Sequence, residues 1–129
     1  MADKNLSFQL ISENSCSTEV YMECILNFCK KQGISTGKYI MAKNLSSGMP
    51  HWTNTEGTEA LWFTDGQWQI GPKSYLNSTT TRGLRSTNST PCPESVGSHW
   101  KYRDGREWVD AQGNAKMYKY EGTVPKRYR

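Results

Sequence analysis

The strongest constraint in this chain is a pattern of short aromatic runs separated by glycine-bearing turns. From Lys38 onward it reads KYIMA, HWTNT, EG, ALWFT, DG, QWQIG, and later HWKYR, DG, REWVDA, QGN and AKMYKY. Runs of four to six residues, alternating in character and broken by Asp-Gly or Gly-Asn, are what antiparallel hairpins require. The apolar fraction is only 35%, while aromatic residues reach 12%. A core built from so few apolar side chains must lean on rings, each able to bury about 150–250 Å². The expected fold class is therefore mainly β, an antiparallel meander of hairpins forming a sheet or small barrel. The 129 residues suit a single domain.

Two hairpins have readable registers. Around Asp65-Gly66 a two-residue loop needs positive φ at both positions, which Asp tolerates and Gly prefers. Phe63 then faces Trp68 and Leu61 faces Ile70 on one side, with Trp62 facing Gln69 on the other. Around Asp104-Gly105 a three-residue loop, Arg103-Asp104-Gly105, is expected instead. It avoids an Arg103–Arg106 repulsion and sets Trp100 opposite Trp108, Tyr102 opposite Arg106 and Lys101 opposite Glu107. Between the hairpins, residues 72–97 are rich in Ser, Thr, Asn, Gly and Pro. They read as a long tethered loop with one short strand near Arg82–Arg85.

The N-terminal third reads differently. Val20, Cys24 and Phe28 recur at i+4, and Tyr21, Ile25 and Cys29 form an adjacent row. Ser17 or Thr18 suits a cap, and Gly33 suits the residue past the end. One N-terminal α-helix is expected over residues 18–32, preceded by a short strand at LSFQLI, with the meander over 38–120 and a basic tail over 121–129.

The stretch ALWFTDGQWQIGP…STPCPESVGSHWKYRDGREWVDA, within residues 39–111, resembles small Trp-rich β modules that occur alone or repeated in animal and protist proteins. The shared pattern is an aromatic pair, a DG turn, W-x-I-G, a Ser-rich gap, Cys-Pro, W-x-Y, a second DG turn and a final Trp. The resemblance implies a compact β module and no activity.

Chemistry-bearing residues are sparse. His51 and His99 each sit beside a Trp and read as strand residues. Asp65 and Asp104 precede glycine and read as turn formers. No nucleophile elbow, P-loop or zinc-protease motif occurs. No enzyme activity, cofactor or metal is expected. Cys16, Cys24, Cys29 and Cys92 lack zinc-ligand spacing. Buried free thiols are the expected state. Cys24 and Cys29 would point to different sides of a helix and should not pair, whereas Cys92 could staple the long loop to the helix.

No apolar run of 18 residues is present, and a membrane is not among the expected partners. The N-terminus lacks the apolar stretch of a leader, which points to the cytoplasm. Four Asn-x-Ser/Thr triplets, at Asn5, Asn44, Asn77 and Asn88, and an even cysteine count keep an extracellular alternative open. The net charge of +4 arises wholly after residue 100.

The expected function is a protein-interaction or recognition module. Trp62, alone among polar neighbours, is the candidate anchor, and Tyr102, Arg103 and Arg106 complete the ligand-binding set. Nucleic-acid binding through the Tyr-rich basic end, by Lys116, Lys119, Lys126, Arg127 and Arg129, is the second reading. Carbohydrate stacking on an exposed Trp62 is the third.

Overall fold

A computed structural model describes residues 16–122. Nine strands form one antiparallel sheet. They are β1 (Glu19–Cys24), β2 (Gly37–Met41), β3 (Trp52–Asn54), β4 (Glu59–Thr64), β5 (Gln67–Pro72), β6 (Leu84–Ser86), β7 (Trp100–Asp104), β8 (Glu107–Asp110) and β9 (Ala115–Lys119). Strands β1 to β8 lie side by side in chain order, and β9 returns to pair with β1. The sheet is a curled half-barrel. Residues 111–114 link its two edge strands, β8 and β9. Their five Cα steps, at roughly 3.6 Å each, hold Asp110 within about 18 Å of Ala115.

One cross-strand row explains the core. Met41, Trp52, Leu61, Ile70, Leu84, Tyr102 and Val109 are successive partners across β2 to β8 on the concave face. Trp52, Leu61, Ile70 and Leu84 are fully buried there. A 3-10 turn, Pro93–Val96, inserts Val96 into this core. It reaches β9 through the bond from Met117 N–H to the Gly97 carbonyl, 2.8 Å. Four tryptophans are buried, and each indole N–H donates to a backbone carbonyl. Trp52 reaches Ser17, Trp62 reaches Ser78, Trp68 reaches Thr90 and Trp100 reaches Gly97, at 2.9–3.0 Å. Each ring is thus buried without leaving its one polar atom unpaired.

The Asp65-Gly66 hairpin has the expected two-residue loop. Phe63 pairs Trp68, Trp62 pairs Gln69, and Asp65 and Gly66 both hold positive φ, 53° and 75°. The second hairpin departs from expectation. It also has a two-residue loop, Gly105-Arg106, so that Arg103 faces Trp108 and Lys101 faces Asp110. The expectation weighed only pairs within the hairpin. β6 pairs Leu84 with Tyr102, and the observed register continues this concave row onto Val109, where the expected one would have set Arg106. Gly105, with φ 65°, takes the first loop position, which suits the Gly-X type II′ turn.

The expected helix over 18–32 is not present. Glu19–Cys24 is β1, and only Phe28–Lys31 is helical, a single turn we label α1. A spacing of four is also twice the strand period, so Val20 and Cys24 share a face in either structure. β2 and β9 supply backbone partners on both sides of β1, and Val20 and Met22 point inward while Tyr21 and Glu23 point outward. LSFQLI lies outside the described residues.

The thiols are not free. Cys16 pairs with Cys92, and Cys24 with Cys29. The chain turns between Cys24 and Cys29 rather than continuing as helix, which removes the geometric objection to that pair. Cys92 does staple residues 72–97, but to the segment ahead of β1 and not to a helix. The Glu94 carboxylate reinforces this tie, accepting from the Ser17 N–H and hydroxyl at 2.8 and 3.0 Å. Structural disulfides persist in oxidising compartments, so the cytoplasmic expectation is not supported. Among the described residues no helix is long and apolar enough to cross a membrane. The 72–97 connection contains a 3-10 turn at Lys73–Tyr75, β6 as its one short strand, and the Pro93–Val96 turn.

Candidate functional site: a basic cleft beside a disulfide-closed loop

The sequence-predicted binding residues do not gather around Trp62. Trp62 does point to the convex face, yet it is only 1% exposed. The 73–80 segment folds over it, accepting its indole N–H at Ser78. Gln69, its cross-strand partner, is buried alongside and accepts the Thr80 N–H at 3.3 Å. Trp62 is therefore a packing residue, not an exposed anchor or a stacking platform. Tyr102 lies on the concave row with its ring edge-on to Phe28, 5.3 Å between centroids. Arg106 is exposed in its turn. Lys116 faces Glu23 across the β1–β9 ladder, and Lys119 is ion-paired with Glu121 at 3.8 Å. Lys126, Arg127 and Arg129 lie outside the described residues.

Of the predicted residues that the structure describes, Arg103 lines a cavity. The cavity measures about 380 Å³ and is lined by Lys30, Lys31, Gln32, Gly33, Thr81, Arg82, Gly83 and Arg103. Its walls come from three distant pieces of chain. Lys30 and Lys31 end α1, which stops because Gly33 takes φ 79° and returns its N–H to the Lys30 carbonyl. Arg82 lies against Gly33, where a Cβ would approach its Nη2 to 3.3 Å. Gly83 donates its N–H to the Gln32 carbonyl at 3.1 Å, joining α1 to the start of β6. Gly83 also has no room for a side chain, since a Cβ there would fall 1.9 Å from the Ile70 carbonyl oxygen. Glycine is thus required for β6 to run against β5.

Four cations line this cleft and no carboxylate does. Among the described residues, Lys30, Lys31, Arg82 and Arg103 form no ion pair. Like charges around a concave wall reinforce one another's field and favour an anion. Arg103 is steadied by its Nε–H bond to the Gly105 carbonyl, 3.1 Å, and by the Trp108 ring, 5.8 Å from its guanidinium carbon. Arg85 covers the same ring at 4.3 Å. Burial pulls the Arg85 pKa below its ordinary value; Asp65 opposes this and Arg103 adds to it.

A second cavity of about 460 Å³ adjoins the cleft, sharing Lys30 with it. It is lined by the Cys24–Cys29 loop together with Ile34, Ser35 and Thr36. Ile25 and Leu26, at the tip of that loop, are 55% and 95% exposed.

No family model, curated protein or solved structure matches this chain. Sequence reasoning missed Lys30, Lys31 and Arg82. Lys30 and Lys31 read as the end of the expected helix and Arg82 as the start of a short strand in the long connection, and nothing local places them together.

Proposed function

We propose that this protein is a non-catalytic recognition module that holds an acidic segment of a partner protein in the cleft between α1, Arg82 and Arg103. The observation that carries the reading is the convergence of four cations on one cavity without a carboxylate. A cationic concavity raises both the local concentration of an acidic partner and its rate of capture. The basic C-terminal third supports nucleic-acid binding less well. Its described lysines Lys116 and Lys119 stand beside Glu23 and Glu121, which offset their charge. The two disulfides and the Asn44, Asn77 and Asn88 triplets support an extracellular destination.

Titration calorimetry with a hexaglutamate peptide tests the reading. The wild-type chain binds at low salt, and affinity falls steeply as salt rises. Lys31→Glu with Arg82→Glu weakens binding by at least about tenfold, equivalent to about 1.4 kcal/mol. Reversal of the exposed Lys43, outside the cleft, leaves binding unchanged. Equal affinity in the cleft variant, or no binding at low salt, overturns the proposal.

A further inference from the structure

The loop between β1 and α1 is built against the usual rules for a solvated turn. Its tip carries two aliphatic residues, and among the described residues Leu26 is the most exposed of the large apolar side chains, at 95%. Leu26 also holds φ 51°, a left-handed conformation that Asn or Gly adopts far more readily than a bulky aliphatic residue. The conformation is held from three directions. The Cys24–Cys29 disulfide closes the loop, Ile25 N–H donates to the Asn114 carbonyl at 2.9 Å, and Phe28 N–H returns to the Ile25 carbonyl at 3.0 Å. An apolar side chain kept rigidly in water gives the isolated chain no stability. A left-handed backbone at a bulky residue, held in place from several sides, points to a functional contact.

Cations adjoin the tip. Lys30 lines the tip's own cavity, and Lys31, Arg82 and Arg103 line the cleft next to it. The loop therefore presents an aliphatic point with positive charge beside it. We propose that this tip docks the protein onto an anionic lipid bilayer, with Ile25 and Leu26 entering the boundary between headgroups and acyl chains and Lys30 and Lys31 meeting lipid phosphates. The charge order matches a bilayer that exposes anionic lipid on the side the protein meets, where the apolar interior lies beneath a surface that attracts Lys and Arg over about a Debye length. A protein socket fits less well. Protein anchors are chiefly Trp, Tyr and Arg set within a broader patch. Among the described residues, none of the other exposed large apolar side chains, Ile40, Leu45 and Tyr75, lines the tip's cavity. A fluid bilayer accepts a narrow convex point without a complementary shape. This inference goes beyond the cleft reading: Lys30 and Lys31 line the cleft and also adjoin the tip, so lipid and an acidic segment compete for them, whereas Ile25 and Leu26 serve the membrane contact alone.

Vesicle co-sedimentation of the full, oxidised chain tests it. Vesicles of phosphatidylcholine and phosphatidylserine mixed two to one are compared with phosphatidylcholine alone. The wild-type chain binds the mixed vesicles and not the neutral ones. Ile25→Ser with Leu26→Ser reduces partitioning by at least about tenfold, the loss expected from removing buried aliphatic area. Leu26→Gly, which keeps the backbone conformation open, also reduces it and guards against a folding defect in the double variant. Hexaglutamate binding stays intact in both variants, which separates this result from the cleft reading. Absence of binding to the mixed vesicles overturns the proposal, as does binding that the tip variants leave unchanged. A wild-type dimer in sedimentation velocity that Leu26→Ser converts to monomer also overturns it, because a second copy then covers the tip.

Discussion

Removing the two disulfides separately should have very unequal effects. Cys16–Cys92 joins residues 76 apart, and Cys24–Cys29 joins residues 5 apart. A cross-link stabilises chiefly by restricting the unfolded chain, and the benefit grows as (3/2)RT ln of the loop length. On that scale the long cross-link is worth about 4.5 kcal/mol and the short one about 2 kcal/mol. The difference depends only on the ratio of loop lengths and comes to about 2.4 kcal/mol. Native packing works in the same direction. Cys16 and Cys92 are both buried, and they tether the segment that carries Val96 into the core. Urea unfolding of Cys16→Ala/Cys92→Ala and Cys24→Ala/Cys29→Ala variants, followed by tryptophan fluorescence, measures both. With a slope of about 1.5 kcal/mol per molar urea, the two midpoints should differ by about 1.6 M, the long-loop variant unfolding first. Equal midpoints, or a larger loss in the short-loop variant, would refute the entropic reasoning.

Three further outcomes follow from single sites. Gly83→Ala should destabilise by about 3 kcal/mol or more, because the new Cβ meets the Ile70 backbone in addition to the left-handed strain. Gly113→Ala, with φ 82° and open space around the Cβ, should cost only about 1 kcal/mol; thermal melts of the pair check the contrast, and similar losses would discredit the steric account. His51 is buried with Nδ1 unpartnered, and burial, then Lys73, lower its pKa. The unfolded chain therefore takes up this proton first. Stability falls as pH drops below about 6.5 and levels off once the folded pKa is passed. In His51→Gln, unfolding midpoints measured between pH 7.5 and 5 should lose part of that slope; an unchanged slope would remove His51 as its source.

What could be read from the sequence was set by neighbours a few residues apart. Asp65-Gly66 specifies its own loop because both residues accept positive φ, and the loop fixes which side Phe63 and Trp68 share. The short aromatic runs specify antiparallel strands because strand period and turn chemistry are both local. Locality also explains the errors. Val20, Cys24 and Phe28 fit a helix and a strand equally, and only the backbone groups of β2 and β9, which flank β1, select the strand. The Arg103–Arg106 pair looked decisive, yet the register that forms is the one that carries the Leu84–Tyr102 row on to Val109 rather than to Arg106. Trp62 has the sequence context of an exposed ring, yet residues 73–80 cover it, and that closure is a long-range packing event. The disulfide partners and the cleft belong to the same class. Cys16 meets Cys92, and Lys30 and Lys31 meet Arg82 and Arg103, only because a nine-stranded sheet curls far enough to bring its distant segments together. Sequence spacing carries rotation and turn angle, whereas which distant surfaces meet is decided by burial of the whole core.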